Sequence, residues 1–149
     1  MQVCYRYDGS FPGFLCCIFE SYAHREEPEE FLTEGDPTMT LWEERPVATS
    51  RERAGRVYRG LGAKISPAFQ NLVERTFLTC LPDRERILWR LIRRGFQEGD
   101  RVRQDLSDPD MAKVTLALQK LWTEQDHLKG FVRFSQQGDM LVVNEWEET

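Results

Sequence analysis

Arg86, Arg90, Arg93 and Arg94 are spaced four, three and one residues apart, so they form a stripe on one side of the helix predicted from Asp83 to Glu98. Arg53 and Arg56 extend the basic edge of an earlier helix, and Arg101 and Arg103 follow a stop at Gly99. A guanidinium offers several donors in a planar fork, which suits phosphate, so these residues make a candidate nucleic-acid or anion-binding surface. Trp89 stands among them and can either stack on a base or pack as a half-buried anchor. A solvated helix face is the plainer use of such arginines, because Arg is also a good helix former. Taken alone, the stripe favours that plainer use.

Other residue types give weaker signals. Asp105, Asp108 and Asp110 lack the alternating oxygen ligands, central Gly and distal Glu of a calcium loop, and the start of a helix explains them better. Cys4, Cys16, Cys17 and Cys80 show no C-x-x-C spacing, and His24 and His127 are the only histidines. Adjacent cysteines point about 100° apart on a helix. Reduced thiols packed as small apolar groups are therefore expected, with no metal and no cofactor. His127 falls at a helix end, where a cation meets free carbonyls, and Asp8 reads first as a turn former. A Gly-rich phosphate loop, an H-E-x-x-H helix and a nucleophile elbow are all missing from the sequence. Catalysis stays open but disfavoured, and no catalytic residue is assigned.

The elements that must carry these residues follow from periodicity. Val3, Tyr5 and Tyr7 alternate with Gln2 and Arg6 in a short strand, and Asp8-Gly9-Ser10 turns the chain. Ser10 or Asp8 caps a helix whose inner face is Phe11, Phe14, Leu15, Ile18, Phe19 and Tyr22. Residues 26–40 read as an acidic loop with one extended piece at 30–32. Thr49 and Glu52 have capping-box spacing, before one helix face made of Ala54, Val57, Tyr58, Leu61 and Ile65. Ser66-Pro67 starts a further helix, Asp83 to Glu98 makes the arginine helix, and Asp108-Pro109 opens the longest one. Two strands at 130–135 and 140–143 close the chain. The expected class is α+β: about five consecutive helices, with a small sheet from the N-terminal strand and the C-terminal hairpin.

At 149 residues, with 40% hydrophobic and 30% charged side chains, the chain fits one domain. No apolar run nears the roughly 20 residues of a membrane helix, and no basic leader precedes the first apolar stretch, so a cytoplasmic protein without membrane partners is expected. The net charge of -5 is unevenly spread: residues 1–50 carry 3 basic and 10 acidic groups, 51–103 carry 13 and 6, and 104–149 carry 4 and 9. A basic middle between acidic flanks suits an anionic partner, or internal neutralisation of one segment by the others.

Two motifs together resemble a known family. The first runs Tyr7-Asp8-Gly9-Ser10-Phe11-Pro12-Gly13-Phe14-Leu15 into Ile18-Phe19-Glu20-Ser21-Tyr22; the second is His127-Leu128-Lys129-Gly130-Phe131-Val132-Arg133-Phe134. They are similar to those of bacterial DNA-repair or DNA-metabolism proteins, with Tyr7, Asp8, Gly9, Phe11, Gly13, Leu15, His127, Lys129, Phe131, Arg133 and Phe134 carrying the likeness. The layout agrees over nearly the whole chain. Family members are typically encoded beside a radical S-adenosylmethionine protein with a helix-hairpin-helix DNA-binding motif, and some are fused to a uracil-DNA-glycosylase-like domain. They usually continue past the Phe-Val-Arg-Phe strand, so this chain resembles the N-terminal part of a longer family domain. The resemblance implies an accessory role in DNA repair, binding DNA or a repair partner. Alternatives are an interaction subunit for the radical enzyme, or a DNA-acting enzyme built from Asp8, His127 and Arg133.

Overall fold

A computed structural model describes residues 2–127, with side chains through Leu121. The elements run β1 (Gln2–Tyr7), α1 (Phe11–Ala23), β2 (Glu27–Thr33), β3 (Glu43–Pro46), α2 (Arg51–Gly60), a π-helical turn (Leu61–Ile65), α3 (Pro67–Phe77), α4 (Arg84–Glu98), a 3₁₀ helix (Asp100–Gln104) and α5 (Pro109–His127). The class is α+β, as the periodicity predicts.

The sheet differs from the expectation. It is three-stranded and parallel in the order β2-β1-β3, built entirely from the N-terminal third. The expected hairpin at 130–143 lies outside the described residues. Between 26 and 40 the extended piece is a full strand, 27–33, and β3 was not expected at all. Their sequences, EPEEFLT and EERP, have poor strand propensity; pairing to the two edges of β1 makes them strands. Charged residues and prolines are tolerated there because both are edge strands.

β1 is the centre. Val3, Cys4, Tyr5 and Tyr7 are all buried, because a central parallel strand is covered on both faces. On one side Tyr5 meets Phe31, and Phe31 meets Phe14 of α1. On the other, Arg6 donates to the carbonyls of Thr33, Asp36 and Thr38 at 3.1, 2.7 and 2.8 Å and pairs with Glu44 at 2.9 Å. One guanidinium thereby fixes the connection that crosses from β2 to β3.

Helix starts follow local chemistry. Ser10 caps α1 through the Gly13 amide at 3.0 Å, Ser66 caps α3 through Phe69 at 2.9 Å, and Asp108 accepts from Met111 at 3.1 Å. Ser50, one residue beyond the predicted Thr49, caps α2 through the Arg53 amide. The predicted single helix through Ile65 ends as α2 at Gly60 and continues as the π-helical turn. The middle of α1, from Gly13 to Ile18, is buried all round between the sheet and α2, so Cys16 and Cys17 are both interior. Tyr22, predicted inward, is exposed and sets its ring edge-on against Phe96. Phe14 stacks on Phe77 at 5.3 Å, tying α1 to α3, while Leu88, Leu91 and Ile92 of α4 complete the interior.

Candidate functional site

The apolar face of α4 is Ile87, Leu88, Leu91 and Ile92, which forces its arginines outward. Arg86, Arg90, Arg93 and Arg94 each then find an acidic partner, on β2, α5, α4 itself or the connection that follows it. Arg86 donates to Glu29 of β2 at 2.5 Å and to the Pro28 carbonyl at 3.1 Å. Arg90 grips Asp110 of α5 with both arms of its fork, at 2.7 and 2.8 Å. Arg93 reaches Glu27 at 3.3 Å and covers the Trp89 ring at 5.2 Å. Arg94 joins Glu98, Asp105 and Asp108 at 2.9, 3.1 and 3.4 Å. Just beyond the helix, Arg103 holds Asp100 at 2.9 and 2.8 Å.

The electrostatics agree with this neutralisation. The hydrogen bonds that Arg90 donates to Asp110 raise its pKa, and those that Arg94 donates to Glu98 and Asp105 raise that of Arg94. Arg103, helped by the Ser66 hydroxyl, lowers Asp100 to about 2. Asp105, Asp108 and Asp110 serve as counter-ions to the stripe, with Asp108 also capping α5. Of the two uses open to the basic middle, internal neutralisation is the one α4 adopts. Trp89 is buried and donates its indole N–H to Ser21 at 3.1 Å, leaving no open face for a base.

α2 is different. Its inward residues are Ala54, Gly55 and Tyr58, so Arg51, Arg53, Arg56 and Arg59 turn to solvent. Arg53 pairs with Glu20 at 2.9 Å, and Arg53 and Arg56 both lie against the Phe19 ring, at 5.2 and 5.7 Å. Arg51, Arg56, Arg59 and Lys64 of the π-helical turn are exposed and have no carboxylate partner among the described residues; Arg101 is exposed too and lies near Glu98, whose ionised form it favours. The Arg-x-Arg-x-x-Arg-x-x-Arg run from 51 to 59 is as dense in the sequence as the α4 stripe from 86 to 94, four arginines in nine residues each, and of its members only Arg53 and Arg56 were expected at a binding surface.

The first family-like motif folds into a corner where β1 and β3 deliver their chains to α1 and α2. Asp8 Oδ1 accepts from the Ser10 amide at 2.9 Å and its hydroxyl at 2.6 Å, while Oδ2 accepts from the Thr49 hydroxyl at 2.7 Å. Burial would raise this carboxyl, but the Ser10 and Thr49 donors and the local amides outweigh it and hold it below the ordinary carboxylate value. Gly9 needs its left-handed φ of 84°, and a Cβ on Gly13 would lie 2.2 Å from Asp8 Oδ1. Tyr7 donates to Glu85 of α4 at 2.7 Å, and burial followed by that bond pushes the phenol up. Phe11 packs against Tyr58 and Phe77, and Leu15 is in the core. Beside them, Cys16 and the backbone of Ser50 exchange bonds at 3.2 Å in both directions. The corner thus joins the starts of two helices around an ionised carboxylate.

The side chain of His127, and Lys129, Phe131, Arg133 and Phe134, lie outside the described residues. Among the described residues no group of three or more His, Cys, Asp or Glu side chains could hold a metal ion, and no helix is long and apolar enough to cross a membrane.

Residues 82–148 are similar to the family model DUF4130, a domain of unknown function. That stretch starts at Pro82, so it takes in α4 and α5 and leaves the sheet and α2 outside the match. No curated protein and no solved structure matches the chain.

Proposed function

We propose that this chain is a non-catalytic accessory module of DNA metabolism that contacts the phosphate backbone through the outer face of α2. The resemblance supplies the DNA context, together with a radical S-adenosylmethionine helix-hairpin-helix protein as the expected repair partner. One observation carries the choice of surface: Arg51, Arg56, Arg59 and Lys64 are exposed without carboxylate partners, whereas the α4 guanidiniums are committed to acidic groups of the same chain. A phosphate arriving at α4 would have to displace a carboxylate already in place; at α2 it displaces only water and counterions. Residues 51 to 64 advance roughly 20 Å at 1.5 Å per residue, enough to track several nucleotides of a strand rising 3.4 Å each.

Phosphate contact releases counterions, with a logarithmic slope of about -0.9 per contact on duplex DNA. Four contacts give a slope of about -3.6, so raising salt from 50 to 200 mM should weaken binding by roughly 150-fold. Fluorescence anisotropy with single- and double-stranded oligonucleotides across that salt range tests this. Binding to neither form at 50 mM would remove the DNA half of the proposal.

A further inference from the structure

We infer that the groove between the α3–α4 connection and α5 is a docking site for a helix carrying apolar anchors flanked by acidic side chains. The groove encloses about 800 Å³ and is walled by Leu78 and Leu81 on one side and Leu116 and Leu121 on the other. Leu78 and Leu116 are 65% and 66% exposed, so two large aliphatic side chains face each other across a cleft instead of filling the core. The inward face of α5 carries Met111 and Val114; the groove face is a different stripe, Lys113, Leu116, Ala117 and Lys120, at the i, i+3, i+4, i+7 spacing of one helix side.

Charge chooses the occupant. Lys113 and Lys120 bracket Leu116 about 10 Å apart along the axis, at 1.5 Å per residue, and neither has a carboxylate partner among the described residues. The opposite wall, from Leu78 to Pro82, has no charged residue. Asp83, which follows it, faces the adjoining 440 Å³ pocket with Arg86, Arg90 and Lys113. Asp110, the acid at the start of α5, is held by Arg90. The rim is therefore net positive around an apolar floor, in a chain whose overall charge is -5. A helix that lays leucine-like anchors into the floor and sets glutamates against Lys113 and Lys120 satisfies both features. This surface shares no residue with the α2 cations, so either can fail without the other.

Cys80 makes the test direct. It lines the groove and is exposed, whereas Cys4, Cys16 and Cys17 are buried, so an environment-sensitive fluorophore can be attached there alone. The probe is a synthetic helical peptide of two heptads with leucines on one face and glutamates elsewhere, compared with the same peptide carrying lysines in place of the glutamates. A saturable fluorescence change is expected with the glutamate peptide only. It should weaken at least tenfold in the Lys113→Glu/Lys120→Glu variant and in Leu116→Ser, with DNA titrations unchanged. Equal response to both peptides, or saturable response to neither, overturns the inference. So does a Cys80 thiol that resists labelling in the folded full chain, which would mean that the chain's own C-terminal sequence already fills the groove.

Discussion

Replacing Arg90 separates the structural and ligand-binding readings of α4. The Arg90–Asp110 pair joins α4 to α5 with two parallel bonds of 2.7 and 2.8 Å. A hydrogen bond to a charged group contributes about 1.5–3 kcal/mol when well desolvated. Here the Arg90 and Asp110 side chains are 38% and 15% exposed, so solvent screening moves the expected coupling toward the surface-pair range, to about 1–2 kcal/mol. In a double-mutant cycle with Arg90→Ala and Asp110→Ala, urea denaturation should return that coupling, and Arg90→Ala alone should lower Tm by roughly 3–8 °C in a chain of this length. Arg90→Lys keeps the charge and loses the fork, so it should retain less than half the coupling. In 1 M NaCl, where the Debye length is about 3 Å, the coupling should fall further. A coupling below about 0.3 kcal/mol, the usual scatter for independent sites, would refute the idea that this stripe is a staple.

Other expectations follow from particular contacts. Gly13→Ala should destabilise the chain by roughly 1–3 kcal/mol, because the new Cβ meets Asp8 Oδ1 and also lies 3.1 Å from the capping Ser10 Oγ; in an Asp8→Ala background the Ser10 contact remains, so most but not all of that cost should disappear. Denaturation of the four proteins checks this coupling. Asp100 is held near 2, below its unfolded value, so the folded state binds its proton less tightly. Its contribution is complete above about pH 4 and is lost as pH falls through about 2. Tm of Asp100→Asn should therefore lie below wild type at neutral pH and converge with it in acid. With a thiol reagent, one cysteine should react fast in the native state and four after unfolding, since three are buried.

The helices were legible because each carries its own evidence. Ser66-Pro67 and Asp108-Pro109 mark starts, Gly99 marks a stop with φ of 83°, and the apolar stripe of α4 repeats at helical spacing. The sheet was only partly so. β1 declares itself by composition, but β2 and β3 are strands because β1 offers two edges to pair with, which is information held elsewhere in the chain. Thr49 against Ser50 shows the same limit at one residue: both can cap, and Asp8, 41 residues away, recruits Thr49 and leaves Ser50 to the helix. The arginine stripe was found by spacing, yet spacing could not reveal that Glu27, Glu29 and Asp110 would come to meet it. On α2 the cations are as dense in the sequence as on α4, and freer in space.

The most direct measurement is DNA binding by anisotropy for two sets of variants whose folding is verified by thermal melting. Arg51→Gln/Arg56→Gln/Arg59→Gln should lose about eightfold in affinity per phosphate contact at 0.1 M salt and flatten the salt slope by nearly three units, with Tm little changed. Arg86→Gln/Arg93→Gln should lower Tm and leave the slope intact. The opposite pattern, with affinity lost at α4 and kept at α2, would contradict the assignment of the phosphate contacts to α2.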